Sequence, residues 1–472
     1  MELLLLLAAV STAGCALRSY QQAPLDPAAS ASAYESRTID LEPLREYLGA
    51  HGVDVREWPL RRWDLAALTL VAFYYHPDVE VARAQARAAR ADTAVATQHP
   101  PFGVVPALEH HTATSDQNSS PWSAGFEIDI PIAGGSTGKA TREQYDALAE
   151  AAALKVGSVA WEVRSRLRSR YLDYYASLRA SELLEAEVQD RAALARLLQR
   201  RLEAGAISST EASTARLGLA DAQNRQRVAQ SSQERDLAAL AQALAVPLRA
   251  VRALSFDFSA FEQITPAPSD AQAQRAALRN RLDVRTKLQE YAAAEADVKL
   301  EIARQYPSIT LKPSYLWDQG DNIWSLAVGL ILAPTRGNAP AIDAAQARRD
   351  VAASEFRRLQ SNTIAQAEGA LAVFAKLVEG VADNQRSLVD QQAQRERVEK
   401  QFAAGYADRV DIAQAALALS LASRTVLAAR VDALRAQGEL EDALQIPLAG
   451  TPFPLVTAAP APTERVPSLS QQ

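Results

Sequence analysis

RLEAGAISSTEASTARL (residues 201–217) and QFAAGYADRVDIAQAAL (residues 401–417) lie two hundred residues apart in a chain of 472 and share one pattern. Gly205 aligns with Gly405, Ala204 with Ala404, Leu202 with Phe402 and Glu211 with Asp411. Each glycine is the clearest break in a long proline-free stretch, Pro131 to Pro247 in the first case and Pro340 to Pro447 in the second. The match extends outward in a steady order. Asp92 corresponds to Asp297, Pro100 and Pro106 to Pro307 and Pro313, Trp122 to Trp324, and Pro247 to Pro447. An offset that drifts slowly along an unchanged order is the mark of one duplicated unit, not of a short solenoid repeat.

Both halves have the same layout. An amphipathic helix comes first, at about 62–98 and again at 270–304. Two short strand-like runs follow, and then the long helical stretch. In the first long stretch Val156, Val159, Val163, Leu167, Tyr171, Tyr174 and Leu178 recur at steps of three or four, which places one apolar face along a helix. A helix from about 139 to 203 would be ~95 Å long at the usual rise, far more than a globular domain needs. In the returning arm Ala212, Ala215 and Ala220 take seam positions, and small residues there favour close helix packing.

The strand runs alternate. From Trp122 one face carries Trp122, Ala124, Phe126, Ile128 and Ile130, and the other Ser123, Gly125, Glu127 and Asp129. In the second half Ile309, Leu311, Pro313, Tyr315 and Trp317 alternate with Ser308, Thr310, Lys312, Ser314 and Leu316. Trp324, Leu326, Val328, Leu330 and Leu332 alternate with Ser325, Ala327, Gly329 and Ile331. Runs of about ten residues with one apolar and one mostly polar face fit transmembrane barrel strands. A soluble antiparallel sheet with one face on a core has the same alternation. The leader described next and the aromatic ends Trp122, Trp317 and Trp324 favour the membrane. Four strands cannot close a barrel, and open edges are forbidden in lipid, so several copies must share one.

MELLLLLAAVSTAGC opens the chain with an apolar run, Leu3 to Val10, too short to span a bilayer and typical of a secretory signal. Ser11 to Cys15 resembles a bacterial lipoprotein signal, in which Cys15 is the lipidated residue. An ordinary cleaved signal with an incidental cysteine is the alternative. Residues 16–36, rich in Ala, Ser and Pro, read as a flexible tether.

Bulk composition narrows the function classes. Apolar residues make up 48% and aromatics only 6%, an alanine-rich balance that suits long helices in close contact. A net charge of −6 offers no basic face for nucleic acid. One cysteine excludes an intrachain disulfide and paired-cysteine zinc sites, and the five histidines show no HExxH pattern. There is no phosphate-binding glycine loop and no nucleophile elbow. No catalytic residue, metal site or cofactor is expected, and the chain does not read as an enzyme.

The duplicated layout, the run HPDVEVARAQARAARAD (76–92), the strand entry QYPSITLKPSY (305–315) and the two glycine-centred stretches together resemble the TolC family of outer-membrane efflux proteins over about 60–450. ILAPTRGNAPAIDAAQARRD (331–350) is similar to the heavy-metal RND efflux branch of that family. The resemblance implies a mainly α fold with a membrane β-barrel: long coiled-coil helical hairpins plus four strands per chain, assembled as a homotrimer with a twelve-strand barrel and a helical tunnel. It implies a lipoprotein in the outer membrane of a Gram-negative bacterium, in contact with outer-membrane lipid and extending into the periplasm. Its partners would be a periplasmic adaptor (membrane fusion protein) and an inner-membrane efflux pump of the RND type. The implied function is a passive duct exporting metal cations or small toxic compounds. The alternative is a lipid-anchored periplasmic coiled-coil scaffold without a pore, which lacks any use for the strand alternation.

On this reading the opening stretches are the tips of two helical hairpins. Gly205 and Gly405 allow positive φ where helix becomes turn, and Ser208 or Ser209, and Asp408 in the second half, can cap the returning helix. The resemblance assigns adaptor docking to Gly205, Ser208, Gly405 and Asp408. It places a periplasmic gate at Asp411, with Glu211 as its repeat mate. The family pattern has a second aspartate where this chain has Gln414. A ring of carboxylates from three chains would attract cations. The expected organisation is a signal at 1–14, a lipid-anchored tether at 15–60, a first efflux repeat at 61–250, a linker at 251–269, a second repeat at 270–450 and a disordered tail at 451–472.

Overall fold

A computed structural model of the chain describes residues 19–112, 120–132, 134–331 and 338–448. The signal segment with Cys15, most of the turn in 331–340 and the tail 451–472 lie outside the described residues. In chain order the helices are α1 (Pro27–Glu35), α2 (Glu42–Ala50), α3 (Leu65–Tyr75), α4 (Pro77–Ala96), α5 (Gly135–Glu203), α6 (Ser209–Ala243), α7 (Leu248–Arg252), α8 (Asp270–Asn280), α9 (Leu282–Ala303), α10 (Ala339–Ala403) and α11 (Arg409–Leu444). The strands are β1 (Gly103–His110), β2 (Trp122–Ile132), β3 (Ser308–Asp318) and β4 (Asp321–Ile331).

The amphipathic helix expected over 62–98 is two helices. Pro77 disfavours a helical conformation for the residue before it. His76 is accordingly extended, at ψ 122°, and its Nδ1 accepts the Asp78 N–H at 3.2 Å to cap α4. The helix expected over 270–304 is likewise split, into α8 and α9, at an extended Arg281. The Arg281 side chain stitches the break by donating to Asp283 and, at 3.1 Å, to Gln366.

Helices α5 and α10 span 69 and 65 residues, about 100 Å each at 1.5 Å per residue. They carry the long axis of the molecule. Near the sheet α5 lies between α4 and α9, marked by Thr93 Oγ1 donating to Tyr145 O and by Lys299 paired with Glu143 at 2.8 Å. Farther along, α5 packs on α6 and α11, and α11 packs on α10. The order across the helical wall is therefore α6, α5, α11, α10, with α6 and α10 at its two edges.

Two apolar clusters form a belt midway along the helices. The larger joins Leu44 and Leu48 of α2, Leu68 and Phe73 of α3, Leu167 and Tyr171 of α5, Leu240 of α6, and Phe261. Fully burying a side chain of this size is worth roughly 1.5–3 kcal/mol. The smaller packs Ala277 of α8 against Leu371 and Phe374 of α10 and Leu440 of α11. The segment expected as a linker at 251–269 is part of this belt. Phe258 and Phe261 are buried, Trp63 N–H bonds Ser255 O at 2.9 Å, and Tyr171 Oη donates to Asp257 O at 2.7 Å. The flexible tether expected at 16–36 is also partly ordered. It contains α1, and Tyr34 Oη donates to Val246 O at 3.1 Å while Arg37 donates to Ala245 O at 2.7 Å. Small-residue composition concealed a helix whose polar contacts, not its own apolar face, hold it in place.

A polar junction fixes α6 and α11 to α5. Glu187 of α5 is fully buried and accepts hydrogen bonds from Arg191 (2.7 Å), Arg225 of α6 (2.9 Å) and Arg424 of α11 (2.7 Å). Burial works against its ionisation, but the three guanidiniums outweigh it and hold the carboxyl below its usual range. Gly218 of α6 gives the Arg191 side chain room: a Cβ there would lie 2.8 Å from the guanidinium as it stands. Glu187→Ala leaves three cations facing one another. It should destabilise the chain by about 3 kcal/mol, the low end for a broken buried pair because the arginines reach water. Thermal melts of variant and parent in the same detergent check this; an unchanged midpoint would refute it.

Candidate functional site: the strand wall and the hairpin tips

The four strands form one antiparallel sheet in the order β1-β2-β3-β4. Its central pair, β2 with β3, joins the two halves of the chain. The register confirms the expected faces. Paired positions Leu108 and Ala124, Phe126 and Tyr315, Ile130 and Leu311, Pro313 and Leu326, and Tyr315 and Trp324 all fall on one side. The other side holds Glu109, Ser123, Glu127, Asp129, Lys312, Ser314, Asp318 and Asp321. The apolar side is uncovered: Leu108 is 70% exposed, Trp324 76% and Leu326 67%. Among the described residues nothing packs over this face as a core. Its aromatic members Trp122, Tyr315, Trp317 and Trp324 gather toward the hairpin ends, as the girdle of a membrane barrel does. Both edges, β1 and β4, lack a neighbouring strand within the described sheet.

The helices leave the opposite end of the sheet and run to the two tips. There α5 and α10 end alike. Gly205 has φ +69° and Gly405 φ +83°. Gly205 N–H bonds Leu202 O at 2.9 Å and Ala206 N–H bonds Arg201 O at 2.8 Å. Gly405 and Tyr406 make the same two bonds to Phe402 (3.0 Å) and Gln401 (2.8 Å). This is the paired closure that satisfies the last carbonyls of a helix and needs a left-handed residue, hence glycine. Ser208, not Ser209, caps α6, its Oγ accepting the Glu211 N–H at 3.3 Å. Asp408 caps α11 more strongly. Its Oδ1 accepts from Val410 N–H (2.6 Å) and Asp411 N–H (3.2 Å), and Asp411 Oδ2 accepts the Asp408 N–H at 2.8 Å. Asp411 is thus committed first to a local cap. Glu211 and Asp411 are both exposed.

The tips are joined. Arg201 Nη2 binds Asp408 Oδ2 at 2.5 Å, so the first member of one quoted stretch holds the cap of the other. Sequence comparison aligned like with like and missed this bond, because it pairs Arg201 with a residue of the other half. The available signal was the mismatch of Arg201 with Gln401 and of Ser208 with Asp408. Tyr406, 87% exposed on the second tip, is a further aromatic that pattern reading passed over.

An apolar face open to lipid, a polar inner face, unpaired sheet edges and helices of about 100 Å define a class: the subunit of an outer-membrane channel with a long helical extension. The family model "Outer membrane efflux protein" matches residues 74–246, which cover β1, β2 and the first helical hairpin. The chain also shares its fold with solved outer-membrane channels. It matches CusC with a TM-score of 0.65 at 16% identity, covering 80% of this chain and 91% of that one. It matches VceC from Vibrio cholerae at 0.64 and 16%, covering 80% and 95%. It matches the channel OprN at 0.65 and 18%, covering 91% and 99%. No curated protein matches. The chain is thus similar to outer membrane efflux proteins over residues 74–246 and has the fold of solved outer-membrane channels over most of its length.

The bond to Arg201, together with the backbone amides of Val410 and Asp411, holds the Asp408 carboxyl below its ordinary range. A depressed carboxyl stabilises the folded tip above its unfolded pKa, about 3.9, and that contribution is lost as pH falls through the lower folded value. Protection factors against hydrogen exchange at the tips, corrected for the intrinsic rate at each pH, should therefore fall on acidification below about pH 4, with the loss larger in the parent than in Arg201→Gln. Identical pH profiles in the two proteins would show that the bond does not hold the tips.

Proposed function

We propose that three copies of this chain form a passive duct, the outer-membrane member of a tripartite efflux system that carries metal cations or small toxic compounds from an inner-membrane RND-type pump and a periplasmic adaptor to the exterior. The observation that carries this reading is the open sheet. Its lipid-type face and unpaired edges need further copies, and three sheets of four strands make a closed barrel of ordinary size. The helical wall is open in the same sense, with α6 and α10 as edges to be met by neighbouring copies. Anchoring through a lipid on Cys15 would add a second attachment to the outer membrane.

In this account the tips formed around Gly205, Ser208, Gly405 and Asp408 are the surface that meets the adaptor, with Tyr406 available as an aromatic contact. Asp411 and Glu211 lie one turn inside the tips and line the periplasmic gate. Energy comes from the pump. The alternative of a lipid-anchored scaffold without a pore is disfavoured by the uncovered apolar sheet, which has no place in the aqueous periplasm.

Valine at Gly205 or Gly405 must hold a β-branched residue at positive φ, a strain of about 1–2 kcal/mol at each tip, small against a belt far away. Each variant should still assemble in the outer membrane but fail to restore resistance in a deletion strain challenged with metals, dyes and antibiotics. Full resistance in both variants would remove the docking role from the tips. Asp411→Asn keeps a cap acceptor while removing charge; it should raise single-channel conductance or blunt block by multivalent cations, and unchanged traces would remove Asp411 from the gate.

A further inference from the structure

The inner face of the sheet is unevenly charged along its length. Cross-strand register places Glu109 of β1 opposite Ser123 of β2, Ser123 opposite Asp318 of β3, and Asp318 opposite Asp321 of β4. Three of the four positions in this row are carboxylates. It lies at the hairpin end, level with the aromatic girdle and away from the helices. Nearer the helices Glu127 and Asp129 also face inward, but Lys312 sits between them, its Nζ 3.0 Å from Glu127 Oε1 and 2.6 Å from Asp129 Oδ1. Lys312 is the one lysine or arginine in the four strands.

The row does not serve stability. Asp318 and Asp321 are directly opposed across the β3–β4 hairpin, where like charges destabilise pairing. Asp318 is held in position from the other side, accepting from Ser123 Oγ and lying 3.1 Å from His111 Nε2. A pairing that weakens its own hairpin, in a strand otherwise ordered by alternation, calls for a use outside folding. The ammonium that could balance it is spent on the two deeper carboxylates.

We infer that Lys312 and the row Glu109, Asp318 and Asp321 set the ion preference of the barrel: Lys312 offsets one of the two carboxylates of the inner half, and the row, with three carboxylates and no lysine or arginine, makes the outer mouth the more strongly cation-favouring ring. This rests on the reading that several copies close the sheet into a barrel, which repeats the row around the pore. Rings of fixed carboxylate charge raise the local concentration of cations and exclude anions, over a distance set by the salt concentration. The ring acts in series with any charge at the periplasmic tips. It also favours the exit of cationic and zwitterionic cargo over anionic cargo.

The test is the reversal potential of the full-length trimer in planar bilayers under a KCl gradient, with Asp411→Asn and Glu211→Gln present throughout to silence the gate charge. The potassium-to-chloride permeability ratio should exceed one. Glu109→Gln with Asp321→Asn should lower it by about half. Lys312→Gln, which frees Glu127 and Asp129, should raise it by a similar factor, and Lys312→Arg should leave it unchanged. Trimers resistant to unheated detergent gels establish that each variant is assembled. Conducting trimers whose ratio does not move in these opposite directions would overturn the inference while leaving the duct intact. Assembled trimers that conduct no ions in any variant would overturn the duct and the ring together.

Discussion

A backbone N–H or C=O left unpaired in hydrocarbon costs several kcal/mol, and this chain presents two whole strand edges of them. That constraint governs the rest of the structure. One chain cannot satisfy β1 and β4, so the folded unit is incomplete by design of its topology. The helical wall has the same incompleteness, since α6 and α10 border it without closing it. A heterologous contact that meets one edge with the opposite edge of an identical copy, repeated about an axis, closes both layers at once. The sheet and the helices thus call for the same symmetry.

Duplication supplies the parts for this arrangement, but the two copies have diverged into different duties. Helix α5 of the first half is the common support, carrying α6, α9 and α11 along its length. The buried Glu187 junction and a second one, in which Glu441 of α11 binds Arg164 at 3.0 Å and lies near Arg168, both anchor the second half on α5. Gly438 leaves space for the Arg168 guanidinium, as Gly218 does for Arg191. Burial also raises the Asp442 carboxyl beside this second junction, where Trp161 Nε1 and Ser165 donate to it. Charged groups at these depths act less as sources of stability than as fasteners of register between helices whose alanine seams could otherwise slide. At the tips the Arg201–Asp408 bond continues the pattern of first half holding second.

Much of this was legible from residue pattern alone. The alternation from Trp122 through Ile130, from Ile309 through Trp317 and from Trp324 onward assigned the apolar face residue by residue, because strand periodicity is strict. Gly205, Gly405, Ser208 and Asp408 were readable as turn and cap because few residues do that chemistry. The break at Pro77 was readable in principle, since a proline excludes helix before it, yet the apolar periodicity runs through it on both sides. Arg281 gave no such warning. The polar junctions were hidden for a different reason. Glu187 looks like any solvated glutamate until Arg225 and Arg424, far apart in the chain, are brought beside it. The expected linker at 251–269 instead carries Phe258 and Phe261, whose two rings complete the belt.

The central claim is that the four-stranded sheet is a fraction of a shared barrel. Native mass spectrometry of the mature protein, extracted from outer membranes in mild detergent, measures it most directly. A single species with the mass of three chains, persisting when Cys15 is replaced within a cleavable signal, is the predicted result. A monomer that leaves the membrane once the lipid anchor is absent would contradict it.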